Sequence, residues 1–145
     1  MRLQNLRKFL WLALLLSCMF AAWSWFRPYA WNPDPAALAK VVGVQVTQDQ
    51  TFFWVEAHLK VNPGKVHDLQ KPVFLETSTG SKLEPADTTF GGSEGIGTTD
   101  IWLKFWLESK DIAGPLTLHL NDGKLSIKAN DGVPSQTQYY VTNHW

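Results

Sequence analysis

Four histidines, one cysteine and a glycine-rich stretch are the residues of this chain whose chemistry could reach beyond packing. His58 and His119 stand at polar positions of alternating segments, where strand pairing can bring a carboxylate to the imidazole; His67 and His144 lie in turn-rich, polar sequence. No two of them have the i,i+2 or i,i+4 spacing that puts two zinc ligands on one face. Acid–base work by His58 or His119 would require Asp87, Glu94 or Asp100 within hydrogen-bonding distance. Those three carboxylates lack the regular spacing of a calcium loop. Neither a Gly-x-Ser-x-Gly elbow nor a His-Glu-x-x-His helix occurs. Residues 91–97 (GGSEGIG) look superficially like a phosphate loop, but such loops follow a strand and open a helix, and here a strand follows. Asp87–Thr99 therefore reads as an irregular loop. The expectation is a chain that is not an enzyme and holds no cofactor and no metal, with a small-molecule ligand not favoured.

Aromatic residues are the more informative signal, with eight tryptophans in 145 residues. Trp102 and Trp106 flank Lys104 on the face opposite Ile101, Leu103, Phe105 and Leu107, and Trp54 occupies the polar face of an earlier strand. Two readings stay open. A central strand covered on both sides would bury these rings as core; an exposed set would form a docking patch, since tryptophan dominates the centres of interfaces. The tail 131–145 is polar and then aromatic, ending in Tyr139, Tyr140, His144 and Trp145. Residues 139–141 are expected to add an edge strand, and His144–Trp145 to dock on a partner.

These side chains need elements to position them. Residues 9–26 (FLWLALLLSCMFAAWSWF) form an uncharged apolar run whose helical length of about 27 Å matches a bilayer's hydrocarbon core. Arg2, Arg7 and Lys8 precede it and only Arg27 follows closely, which places residues 1–8 in the cytoplasm and the remainder outside, periplasmic in a Gram-negative cell. Trp11 falls near one interface and Trp23, Trp25, Tyr29 and Trp31 near the other, with Arg27 able to snorkel. Two further readings of the segment remain: a signal peptide cleaved at Ala22-Trp23-Ser24, and a lipobox, Leu15-Leu16-Ser17-Cys18, that would acylate Cys18. Prolines in 27–40 mark a stiff spacer. A net charge of zero, from 13 basic and 13 acidic residues, argues against nucleic acid as a partner.

From residue 41 to 130 the hydrophobic period is two. Val41–Val46, Phe53–Val61, Val73–Thr77, a short strand near Leu83, Ile101–Leu107, Leu116–Leu120 and Leu125–Ala129 alternate apolar with polar residues. Asn62-Pro63-Gly64, Ser78-Thr79-Gly80-Ser81 and Asn121-Asp122-Gly123 supply turns. About seven short strands with no helix between them predict an immunoglobulin-like antiparallel β-sandwich behind one transmembrane helix. With its Asn-Pro-Gly strand end, Thr-Gly-Ser turn and Asp-Gly hairpin, the layout resembles the small immunoglobulin-like modules that bacteria tether outside the membrane. The expected role is an accessory subunit of a membrane complex, anchored in lipid and docking on partner subunits.

Overall fold

Alternation decides the architecture, because each strand has one apolar face that must leave water. In the computed structural model, which describes residues 2–26 and 34–145, helix α1 (Arg2–Trp25) is followed by β1 (Ala39–Asp49), β2 (Phe52–Val61), β3 (Val73–Thr77), β4 (Lys82–Leu83), β5 (Asp87–Ser93), β6 (Gly97–Glu108), α2 (Ser109–Ile112), β7 (Leu116–Leu120), β8 (Gly123–Lys128) and β9 (Gln138–Tyr140). The strands make two antiparallel sheets, one ordered β5-β6-β2-β1-β9 and the other β4-β3-β7-β8. Val44, Val46, Phe53, Val55, Leu59, Leu103 and Phe105 of the first share one buried cluster with Leu75, Leu118, Leu120, Leu125 and Ile127 of the second. Among the described residues nine strands thus stand where about seven were expected, and a one-turn helix, α2, interrupts them.

Helix α1 extends seven residues further toward the N-terminus than the apolar run alone, since Arg2–Lys8 continue the same backbone hydrogen bonding. Its segment Leu3–Trp25 has a mean hydropathy of 1.5, and none of its apolar window is buried in the rest of the protein. One N-terminal helix is therefore long and apolar enough to cross a membrane, with Trp11, Trp23, Trp25 and Cys18 all exposed on it. Arg27, Tyr29 and Trp31 fall outside the described residues.

The glycine-rich stretch is not a loop. Residues 87–99 lie mostly in β5 and the start of β6, whose antiparallel pairing runs from Asp87↔Lys104 to Ser93↔Gly97. Gly95 and Gly97, both at φ +83°, take the left-handed conformation that the tight turn demands. The irregular loop expected there gives way to a hairpin because Thr88-Thr89-Phe90 pair with Leu103-Trp102-Ile101 of β6.

Two boundaries also move. The folded unit begins before residue 41: Ala37 and Leu38 are buried, and Asn62 donates from its backbone N to Leu38 O (2.9 Å) and from Nδ2 to Ala37 O (3.0 Å). The final hairpin turns on Asn121-Asp122, with Asn121 at φ +54° and Gly123 already paired with Leu120. Gly123 serves a different purpose from the expected turn: a Cβ there would lie 2.6 Å from Ala37 Cα. Its missing side chain lets the incoming chain cross over β8.

Candidate functional site

The outer face of the five-stranded sheet gathers most of the chemistry-bearing residues, because they occupy the polar phase of β2 and β6. Register sets Trp54 opposite Trp106, Glu56 opposite Lys104, His58 opposite Trp102 and Lys60 opposite Asp100. Direct cross-strand partners touch. Trp54 and Trp106 meet edge to face at 4.5 Å and 86°, Phe52 joins Trp106 at 4.9 Å, and the Lys104 ammonium lies 4.8 Å from the Trp54 ring centre. None of the three tryptophans belongs to the buried core: Trp54 and Trp102 are half-buried, and Trp106 is 42% exposed. The three rings lie on the outer face of the sheet as an aromatic band.

Two glycines make room for it. A Cβ at Gly91 would come within 2.8 Å of the Trp102 ring, and one at Gly43, opposite His58, would sit 1.9 Å from Tyr139 Oη. Tyr139 thus lies over β1 and extends the band to the sheet's far side. An edge strand at 139–141 is legible in the sequence, but which strand it pairs with is not, and only pairing with β1 brings Tyr139 there.

His58 is stacked flat on Trp102, at 4.6 Å and 9°, and its Nε2 is 2.9 Å from Asp100 Oδ1. Thr99 Oγ1 donates to the other oxygen of Asp100 at 2.7 Å. The Thr99 hydroxyl first and His58 second hold the Asp100 carboxyl below its ordinary pKa. The carboxylate orients the imidazole through this contact, on a half-buried part of the outer face. On the other sheet the same design recurs: His119 stacks on Phe74 at 4.3 Å and 14°, with Nε2 2.6 Å from Glu76 Oε2. Each pair follows from a cross-strand placement that a linear spacing rule does not see.

Because Asp100 titrates below its unfolded value, its pairing adds stability above the ordinary carboxyl pKa that is lost as pH falls through the folded pKa. Asp100→Asn should therefore flatten the acid limb of a stability-against-pH curve, measured by thermal unfolding between neutral and acid pH. An unchanged limb would mean the pair is not formed.

The C-terminal residues do something other than reach outward. β9 pairs with Val44–Val46 of β1, as expected of an edge strand. The chain then crosses to the second sheet, where Asn143 accepts from Ala129 N (2.7 Å) and donates Nδ2 to Ser126 Oγ (2.9 Å), and Trp145 Nε1 donates to Ile127 O (2.9 Å). Trp145 stacks on Tyr140 at 4.5 Å and covers Lys128, whose side chain is 1% exposed and donates to Asn130 O. Trp145 was expected to dock on a partner; within the chain its ring packs on its own domain, against Tyr140 of the first sheet and the Ile127 carbonyl of the second. Tyr140 is covered by the same stack, while the His144 side chain remains exposed.

Among the described residues no group of three or more His, Cys, Asp or Glu side chains comes together to hold a metal ion. His67 packs beside Phe90 at 5.5 Å, and burial lowers its pKa. No protein-family model matches the chain, and no curated protein or solved structure is significantly similar to it. The geometry of the site has to carry the functional reading by itself.

Proposed function

We propose that this chain is a non-catalytic accessory subunit of a membrane complex. In this reading α1 is a retained single-pass anchor with a cytoplasmic N-terminus, and an immunoglobulin-like sandwich docks on a partner subunit outside the membrane. The observation that carries it is the aromatic band on the five-stranded sheet: Trp106, Trp54, Phe52, Trp102 and Tyr139 with Lys104 among them. Phe52 and Trp54 are held against Trp106, and His58 against Trp102, before any partner arrives, so little side-chain entropy is lost on binding. Edges and a partly exposed indole are offered rather than free flat faces, since His58 lies on Trp102 and Trp54 meets Trp106 edge-on. That favours a protein surface over a stacked sugar ring.

Extraction of the full chain from its native membranes in mild detergent, followed by size analysis, tests the reading. The wild type should travel with a partner, and Trp106→Ser should weaken that association by about 2 kcal/mol, roughly thirtyfold, with the fold intact by circular dichroism. A wild-type monomer that co-purifies with nothing would sink the idea.

The His58–Asp100 contact favours a second reading, general acid–base chemistry on the same face. His58→Gln that leaves every measurable function of the chain unchanged would remove it.

A further inference from the structure

Three side chains stand out in the β-domain by exposure: Val66 at 85%, Leu69 at 77% and Ile96 at 75% are its most exposed large hydrophobic residues. They come from two separate segments, the connection after β2 and the turn between β5 and β6. The topology brings both to one end of the domain. Val61, the last residue of β2, pairs with Ala39, the first of β1, and Lys60 pairs with Asp100, so the tip around Ile96 projects beyond that same end. Exposing three aliphatic side chains at one end of the domain is unfavourable in water.

This is also the end at which the chain enters from the helix. Asp34 accepts a hydrogen bond from Lys124 N (2.9 Å), and Asn62, at the root of the loop that carries Val66 and Leu69, is bonded to Ala37 and Leu38. Asn121 fastens the middle of that loop, accepting from Asp68 N (2.9 Å) and donating to Asp68 O (3.1 Å). Residues 26–33 separate the last residue of α1 from Asp34, and eight residues reach at most about 29 Å. If α1 spans the bilayer, the chain's entry point at the end bearing Val66, Leu69 and Ile96 stays within that reach of the membrane surface.

We infer that this end of the domain rests on the lipid bilayer, with Val66, Leu69 and Ile96 entering the interface between headgroups and acyl chains. The inference depends on the anchored reading of α1 and adds an orientation to it. The two loops carry Lys65 and Lys71 as well as Asp68 and Glu94, so the sign of the lipid charge is secondary and the contact is chiefly apolar. Seating these loops leaves the aromatic band on a flank of the domain, facing sideways toward neighbouring subunits.

The test uses the full chain reconstituted in phosphatidylcholine vesicles, with Cys18→Ser as background and an environment-sensitive fluorophore on a single new thiol. Ile96→Cys and Leu69→Cys report the proposed contact. Asp49→Cys, exposed at the β1–β2 turn on the opposite end, is the reference. Lipids spin-labelled high on the acyl chain should quench the labels at 96 and 69 several-fold more than the label at 49, with blue-shifted emission at the first two. Equal, weak quenching at all three sites in chain that floats with the vesicles overturns this inference and leaves the anchor standing. Chain that does not float with vesicles overturns both.

Discussion

Replacing Trp145 with alanine is expected to destabilise the β-domain by about 3 kcal/mol, in the range for truncating a large aromatic side chain that also donates a hydrogen bond. The indole stacks on Tyr140, donates to Ile127 O and roofs Lys128, so three separate contacts end together. The residues around it link the two sheets: β9 completes the edge of the first, and Asn143 and Trp145 close the edge of the second. Loss of the ring should therefore loosen both edges and leave strand groups open to pairing with other chains. Denaturant unfolding of the full chain in detergent, followed by near-ultraviolet circular dichroism, measures the change. A difference within about 0.5 kcal/mol would mean that the tail contributes no more than an ordinary surface segment.

The same variant should change the pH dependence. Burial holds the Lys128 ammonium below its ordinary pKa of 10.5. The unfolded chain then binds that proton more tightly than the folded one, so stability rises as pH climbs from the folded pKa toward the ordinary value. Wetting Lys128 through Trp145→Ala should flatten this alkaline rise, and Lys128→Met should abolish it.

The second large effect is expected at Gly123→Ala, at about 2–3 kcal/mol of lost stability. The added methyl would lie 2.6 Å from Ala37 Cα and 3.0 Å from Ala36 O, and backbone cannot swing aside as a side chain can. The chain entering the domain would have to lift from β8, disturbing the Asp34 bond to Lys124 N and the Asn62 bonds to Ala37 and Leu38. Thermal unfolding measures the loss. A neutral outcome would show that the 34–38 segment does not cross β8 closely, and would also remove the argument that the chain enters at the end carrying Val66 and Leu69.

Gly123 shows how sequence reading can be right about an element for an incomplete reason. An Asp-Gly pair between alternating strands correctly marked the last hairpin, yet the left-handed residue is Asn121 and the glycine is needed for a close approach from 86 residues away in the chain, at Ala37. The error at 87–99 has the opposite form. The glycines there suggest irregularity, but cross-strand pairing to β6 rescues a stretch whose own propensity is weak, since β-propensity depends on what a strand packs against. The alternations at Phe53–Leu59 and Ile101–Leu107 were legible because a period of two needs no partner to be recognised.

The site divides along the same line. That Trp54, Trp102, Lys104 and Trp106 share a polar phase is a property of the sequence, because phase along a strand is local. That Trp54 meets Trp106, that His58 lies on Trp102 with Asp100 at its edge, and that Tyr139 joins them depends on strand order and register. Trp145 carried the same aromatic signal as Trp106 and has a different use, since only the path of the tail decides which surface a ring covers. By itself the sequence determined one apolar helix, a β-rich domain and the inward face of its central strands, all of them consequences of residue spacing. Tertiary structure alone decided which polar residues become neighbours, which glycines are indispensable and which end of the domain lies nearest the helix, because those facts arise from contacts between segments far apart in the chain.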